Sequence, residues 1–143
     1  IGSRVPESLT QLACEDIVIV GYVPDLSEYL KGLRVAVNPL RYGAGIKGKI
    51  VTSMAYGLPC VGTSLAFEGM GLTDEEDVLI GDTPEQFAQA VVRLYCDENL
   101  WRNLSQRGVK IVKERYSFHI AKQSFETLFS ELSDHQYPCT SPR

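Results

Sequence analysis

The sequence has no long apolar run and no excess of positive charge, and each absence excludes a class of function. Its 143 residues include 14 Lys and Arg against 18 Asp and Glu, so the formal net charge is -4. A bulk electrostatic grip on nucleic acid or on an acidic membrane is therefore not expected. No apolar run approaches the roughly 20 residues that a membrane-spanning helix needs. The first residues also lack the apolar segment of a signal peptide. The scattered cysteines, described next, predict a reduced, cytoplasmic protein.

Cysteine and histidine are too few and too scattered for a metal site. No CxxC pair occurs, and neither histidine is paired with a cysteine. The sequence therefore predicts no zinc site and no disulfide framework. Cys60 lies in a strand-like run and Cys96 in a helical one, and we expect both to be small core residues. The residues concerned are Cys14, Cys60, Cys96, Cys139, His119 and His135.

Short runs of β-branched residues alternate with helical segments, which predicts an α/β domain. A chain of this length with 44% apolar residues is enough for one domain. Runs of this kind are typical of strands covered on both faces, as in a parallel sheet. The pattern predicts a doubly wound, Rossmann-like parallel sheet followed by C-terminal helices. The predicted strands are residues 16–20 (DIVIV), 34–40 (RVAVNPL), 59–63 (PCVGT) and 77–80 (DVLI).

Capping residues and apolar spacing predict the helices. Asp25 with Glu28, and Thr83 with Gln86, have the spacing of a capping box. Gly57 ends one helix, and an apolar stripe runs along the last one. We expect the globular domain to cover residues 1–132 and residues 133–143 to form a flexible tail. The predicted helices are residues 6–13, 25 onward, 47–56, 83 onward, 100–115 and 117–132; the last carries Phe118, Ala121, Phe125, Leu128 and Leu132, and the one after Thr83 carries Phe87, Val91, Leu94 and Tyr95.

The segment from residue 39 to residue 49 (PLRYGAGIKGK) is the strongest candidate for a binding site. A strand ends, a glycine-rich loop follows and a helix begins, which is where open α/β sheets bind ligands. Free N–H groups at the helix start favour an anion, and Arg41, Lys47 and Lys49 add positive charge. The pattern indicates a phosphate or diphosphate site, although an ordinary loop with solvated lysines explains it equally well. The segment is neither a Walker A loop nor a dinucleotide fingerprint.

Two other loops are weaker candidates. Gly21 follows the first predicted strand, and Tyr22 or Val23 could bracket a base there; a plain turn with Asp25 as a helix cap is the favoured alternative. The loop over residues 63–76 is long for this type of fold, and long loops are often functional. The four acids of residues 74–77 are expected to be a solvated face rather than a metal cluster.

Several of these blocks, in this order, carry a resemblance to a known family. GYVPDLSEYL, RVAVNPLRYGAGIKGKIVTSMAYGLPCVGT, AFEGMGL and DTPEQFAQAVVRL resemble the C-terminal, donor-binding domain of a group 1 glycosyltransferase. These are GT-B enzymes similar to glycosyltransferase family 4. The resemblance runs from about residue 1 to about residue 120.

The resemblance implies a reaction and a set of partners. GT-B enzymes have two Rossmann-like domains and transfer a sugar from a nucleoside diphosphate sugar to an acceptor hydroxyl. Family 4 enzymes retain the anomeric configuration and need no metal. The resemblance therefore implies no cofactor; the nucleoside diphosphate sugar is a substrate. Positive groups stabilise the departing diphosphate. The sequence names no catalytic residue. The nucleotide, the sugar and the acceptor stay open.

The resemblance also assigns roles to residues. Gly21, Tyr22 and Val23 match the block that lines the nucleobase, and the loop from Gly43 lies beneath the sugar and diphosphate. Many members carry two Glu separated by seven residues; here these positions are Ala44 and Thr52. Thr52 is the stronger departure, because a hydroxyl has one acceptor oxygen where a carboxylate has two. The implied donor-binding residues are Gly21, Tyr22, Val23, Arg41, Gly43, Ala44, Gly45, Ile46, Lys47, Lys49 and Thr52.

The resemblance further implies that this sequence is a piece of a longer protein. The N-terminal acceptor domain and the first strand–helix unit of the donor domain are absent from it, and membrane contact is expected only through that other half. We expect the piece alone to be inactive in transfer. It would close the gap in its sheet, recruit a strand from another copy, or stay marginally stable. The alternative functions are a non-catalytic Rossmann-like module that binds an anion or a protein, and a transferase-like domain without activity.

Overall fold

The computed structural model describes residues 1–43, 45 and 47–134, except for the side chains of residues 133 and 134. The chain forms two compact units, Ile1–Leu33 and a second one that begins at Arg34. The predicted tail lies outside the described residues, apart from the backbone of residues 133 and 134. That backbone belongs to the last helix, which ends at Asp134 and so runs slightly further than expected.

The first unit contains two short helices and no regular strand among its described residues. Helix α1 is Glu7–Thr10 and helix α2 is Ser27–Lys31. The strand predicted over residues 16–20 is wrong: only an isolated antiparallel bridge joins Cys14 to Ile17, and Val18 is 73% exposed. An extended segment becomes a strand only where a second backbone pairs with it, and none of the described residues pairs with residues 18–20.

The start of α2 differs from the predicted capping box. Asp25 lies one residue before the N-cap position, Leu26. Its carboxylate accepts hydrogen bonds from the N–H and the hydroxyl of Ser27, both at 2.8 Å, which lower the pKa of Asp25. Glu28 forms an ion pair with Lys31 at 2.7 Å instead of reaching back to the backbone. Asp25 therefore orders this turn by a different bond from the one expected.

The second unit holds a three-stranded parallel sheet with the order β1-β2-β3. Strand β1 is Ala36–Asn38, β2 is Cys60–Gly62 and β3 is Leu79–Ile80, so three predicted strands are confirmed. Ala36 lies opposite Cys60, and Val61 lies opposite Leu79. All three strands point the same way, and their carboxyl ends therefore meet at one edge.

Helices cover both faces of this sheet. These are α3 (Gly48–Ala55), α4 (Ser64–Phe67), α5 (Pro84–Cys96) and α6 (Glu98–Arg115). Successive strand residues point to opposite faces, so Cys60 packs with Ile50 of α3 while Val61 packs with Leu94 of α5. Helix α6 serves both clusters, through Ile111 on one face and Leu104 on the other. The expected doubly wound, Rossmann-like α/β class is confirmed.

The predictions for α5 are confirmed at its N-terminal end and wrong for two residues at its C-terminal end. Thr83 and Gln86 form the predicted capping box, with Pro84 in the first turn. Leu94 is fully buried, and Phe87 and Val91 pack against the same cluster. Tyr95, expected on that face, is exposed. Cys96 is exposed as well, so its prediction as a core residue is wrong. It follows Leu94 by two residues and therefore lies on the opposite side of the helix.

Helix α7 (Phe118–Asp134) carries the predicted apolar stripe, but the stripe is not buried. Phe118 is 85% exposed, and Phe125, Leu128 and Leu132 are exposed too. Neither buried cluster contains an α7 residue. No helix within the described residues combines the length and the apolar character that crossing a membrane would need.

Candidate functional site

The glycine-rich loop leaves the carboxyl end of β1 and leads into α3, as the sequence predicts. Arg41 and Tyr42 are exposed, and Gly45 has a φ of 84°, which lies in the left-handed region that favours glycine. Two predicted site residues of this loop, Ala44 and Ile46, lie outside the described residues. The loop therefore occupies the edge at which open α/β sheets bind ligands.

The start of α3 has no side-chain cap. Lys47 is the N-cap residue, and its carbonyl accepts from the N–H of Ile50 at 2.9 Å, but its side chain caps nothing. Among the described residues, no acceptor meets the N–H groups of Gly48 and Lys49. Helices α5 and α6, by contrast, are capped by side chains. The first turn of α3 thus keeps donors available at its positive dipole end.

Lysine side chains reinforce this positive end. A Cβ built on Gly43 would lie 3.8 Å from the Lys47 Nζ, so the half-buried Lys47 side chain reaches back over the loop. Lys49 is exposed at the same turn. In the described part of the chain, neither these two lysines nor Arg41 forms an ion pair. Within that part of the chain, the positive charge of this turn is therefore not balanced by an ion pair.

The surrounding sequence also lacks acids. Residues 29–67 contain no Asp or Glu and five Lys or Arg, in a chain whose net charge is -4. The stretch covers β1, the loop, α3, β2 and α4. Neither predicted carboxylate position supplies an acid, since Ala44 and Thr52 stand there. All charged side chains within this stretch of sequence are therefore cations.

Thr52 lies on α3 one turn after Gly48 and on the same face. It is half-buried, and within the described residues its hydroxyl has no hydrogen-bond partner. A Cβ at Gly48 would meet nothing within 4 Å. The face of α3 that carries these two residues is therefore open at its N-terminal end.

Two polar side chains fix the loops at the carboxyl edge. The Thr63 hydroxyl donates to the carbonyl of Leu40 at 2.7 Å, which ties the base of the glycine loop to the end of β2. It also accepts from the N–H of Ala66. Asp82, after β3, accepts from the N–H and hydroxyl of Ser64 at 2.7 and 3.0 Å. These bonds join the segments that follow β1, β2 and β3.

The predicted nucleobase block belongs to the first unit. Gly21 has a φ of 79°, and its carbonyl accepts from the N–H of Gly2 at 2.8 Å. Tyr22 is 75% exposed, and Val23 is half-buried. Glycine is needed at position 21 because an L side chain rarely adopts this backbone conformation.

The sequence predicts a solvated face over the four acids of residues 74–77, and this prediction is wrong for Asp77. Asp77 is 4% exposed and forms an ion pair with Arg107 at 2.7 Å. Glu75 and Glu76 are exposed and pair with Arg93 and Arg107. Among the described residues, no group of three His, Cys, Asp or Glu could hold a metal ion. The acids anchor this loop to α5 and α6.

Sequence reasoning missed two polar residues at the carboxyl edge, Thr63 and Asn38. Asn38 ends β1, and its Nδ2 is buried without a hydrogen-bond partner among the residues that the structure describes. The available signal was a single amide side chain inside the otherwise apolar run VAVNPL. For Thr63, the signal was a hydroxyl directly after a buried strand.

The fold and this edge define a Rossmann-like domain with a glycine loop suited to an anionic ligand. A family model described as "Glycosyl transferases group 1" matches residues 1–97. Because the match covers more than half of the chain, the chain belongs to the group 1 glycosyl transferases.

One relative comes from Klebsiella pneumoniae and is described as an uncharacterized 44.6 kDa protein in the cps region. The two chains are 24% identical over 107 residues, which is 75% of this chain and 27% of that protein. The chain thus spans about a quarter of the length of this relative.

Proposed function

We propose that this domain binds the nucleoside diphosphate sugar of a glycosyl transfer reaction. Gly43, Gly45 and the N–H groups of Gly48 and Lys49 would receive the diphosphate. Arg41, Lys47 and Lys49 would balance its charge. Membership of the group 1 glycosyl transferases supports a transferase role.

The single observation that carries this proposal is the uncapped, cationic start of α3. A diphosphate leaving group gains negative charge as the bond to the sugar breaks. Preorganised N–H donors and ammonium groups stabilise such a charge without further reorganisation. The proposal therefore includes transfer without a metal ion and with retention of configuration, as in the family that the sequence resembles. The acceptor would be held by a domain outside this chain.

Thr52 supports a second candidate, a domain that binds the donor weakly and takes no part in transfer. A hydroxyl offers fewer acceptor sites to ribose hydroxyls than a carboxylate does. The two candidates differ in transfer activity. A protein that contains this chain and has activity should lose rate when Lys47 and Lys49 become Ala, whereas an inert one has no rate to lose.

A titration of the chain with UDP, GDP and ADP, followed through backbone amide shifts, tests the binding proposal. We expect at least one nucleotide to shift the amides of residues 43–49, and the Gly48 and Lys49 signals most. The α6 amides near Lys110 serve as the internal control and should stay in place. If none of the three nucleotides shifts residues 43–49, the proposed site is wrong.

A further inference from the structure

Strand β1 lies at one end of the strand order and, among the described residues, pairs only with β2. Two of its residues direct their backbone groups toward β2. The Ala36 N–H donates to the Pro59 carbonyl at 2.9 Å, and the Asn38 carbonyl accepts from the Thr63 N–H at 3.3 Å. The residues before and after Ala36 must therefore direct their backbone groups to the other side, away from β2.

These two residues, Val35 and Val37, leave the outer edge of β1 open. Within the part of the chain that the structure describes, their N–H and C=O groups form no backbone hydrogen bond. A strand edge with free donors and acceptors is a template for pairing with another strand. Charged side chains commonly prevent such pairing, but residues 35–40 (VAVNPL) carry no charge. The edge thus lacks this protection.

Apolar side chains accompany this edge on the α5 face of the sheet. Val35 packs against the buried cluster beneath α5, and Val37, two residues on, shares its face. Arg34 holds the end of α5 here: its Nε donates to the Tyr95 carbonyl at 2.9 Å, and its guanidinium lies 5.2 Å from the Tyr95 ring centroid. Val37, Tyr95 and Val92, one helical turn before Tyr95, are each more than half exposed. We call Val35, Val37, Val92 and Tyr95 the β1 edge surface.

The open edge is complementary to itself. In an antiparallel pair of strands, two opposed residues can exchange both of their N–H···O bonds. When Val35 lies opposite Val37 of a second copy, two-fold symmetry also places Val37 opposite Val35 of that copy. Each pair then forms two hydrogen bonds, and every free group of both valines has a partner. Ala36 meets its own symmetry mate at the closer, non-hydrogen-bonded position, where a small side chain fits.

We propose that the β1 edge surface is a self-association site through which two copies of this chain join their sheets. The three strands of each copy would form one continuous six-stranded sheet with an antiparallel centre. The interface is isologous, because the same surface serves on both copies. Val35 and Val37 of one copy would cover the exposed apolar side chains of the other. The inference does not depend on the proposed function.

Sedimentation velocity of the chain, over roughly a hundredfold range of concentration, tests this site. We expect the wild type to shift from monomer to dimer as the concentration rises, because the pairing segment is short and the interface small. Val37→Lys and Val37→Glu should each weaken dimerisation by roughly tenfold or more, since like charges then meet across the two-fold axis. Val18→Lys, at an exposed position of the first unit, is the matched control and should dimerise like the wild type.

An equimolar mixture of Val37→Lys and Val37→Glu tests the antiparallel arrangement itself. The two side chains at position 37 are diagonal neighbours across the axis, within reach of each other as long charged side chains. We therefore expect the mixture to regain the dimer that each variant loses alone. Circular dichroism of each variant checks that the exposed substitution leaves the chain folded.

Several results would overturn the proposal. These are a wild type that stays monomeric at every concentration, a Val37→Lys chain that dimerises like the wild type, a mixture that stays monomeric, and a Val18→Lys control that loses the dimer. If the charged variants unfold, the wild type supplies the test. Its dimer, prepared from isotope-labelled and unlabelled chain, should show an intermolecular nuclear Overhauser effect between the methyl groups of Val35 and Val37. A dimer without this effect would place the interface elsewhere.

Discussion

At Gly48, we expect one added methyl group to keep or raise the stability of the fold but to lower the affinity for a ligand. A Cβ there would meet nothing within 4 Å, and the backbone is not left-handed. We expect Gly48→Ala to leave stability unchanged or to raise it by about 0.4–1 kcal/mol. The same methyl should hinder a phosphate that approaches the N–H groups of α3, and so weaken UDP binding.

Gly108→Ala is the matched control for this substitution. Its Cβ would meet Met54 at 3.4 Å, away from the glycine loop. Urea unfolding and a UDP titration on both variants measure the two effects. Tight UDP binding by Gly48→Ala would mean that the ligand does not approach this turn.

The reactivity of the cysteines tests, residue by residue, which side chains are buried. Burial raises the pKa of the Cys60 thiol to about 12, whereas Cys14 and Cys96 are exposed. Only the thiolate reacts with an alkylating agent. We therefore expect iodoacetamide at pH 8 to modify Cys14 and Cys96 in the native chain and Cys60 only after unfolding. The modified residues are identified by peptide mapping and mass spectrometry. If Cys60 reacted as fast as Cys96, the burial of Cys60 in β2 would be wrong.

At the scale of elements, ion pairs attach the turn before β3 to α5 and α6. The Asp77 carboxylate is buried; it accepts from the Arg107 guanidinium and from the N–H of Thr73. We expect Arg107→Leu to lower the free energy of unfolding measurably, because it leaves a buried carboxylate without its cation.

Arg102→Leu is the control, since Arg102 pairs with Glu98 on the exposed face of α6. Exposed pairs contribute only about 0.2–1 kcal/mol. Urea unfolding of the two variants gives the comparison. Equal losses would contradict the role assigned to Asp77.

The sequence predicts those elements whose stabilising contacts are local. The capping box at Thr83 and Gln86 uses neighbours in the chain, and it forms as expected. Whether residues 16–20 form a strand depends on another backbone segment that pairs with them, and the apolar character of the run does not reveal such a segment. Likewise, only the packing of α6 decides that Asp77 is buried beside Arg107 while Glu75 stays exposed. The glycine loop is identifiable from its residue types, whereas the burial of the Asn38 amide depends on the three-dimensional packing.

At the scale of the whole molecule, α7 stands apart from the packed core. Its apolar stripe is exposed, and neither buried cluster includes it. We expect Phe125→Gln to leave the thermal midpoint of the chain nearly unchanged. Leu104 lies in the buried cluster that also contains Leu94 of α5, and we expect Leu104→Ala to lower the free energy of unfolding by about 2–5 kcal/mol. A large loss of thermal stability in Phe125→Gln would show that α7 packs against the core.

The central claim is that the turn from Gly43 into α3 binds a diphosphate. Calorimetric titration of UDP into the Lys47→Ala, Lys49→Ala double variant tests it most directly. Lys110→Ala with Lys113→Ala on α6 removes the same charge from exposed positions and is the control. We predict that the first variant loses UDP binding roughly tenfold or more, with a reduced salt dependence, while the control binds like the wild type. Equal affinities in the two variants would contradict the account.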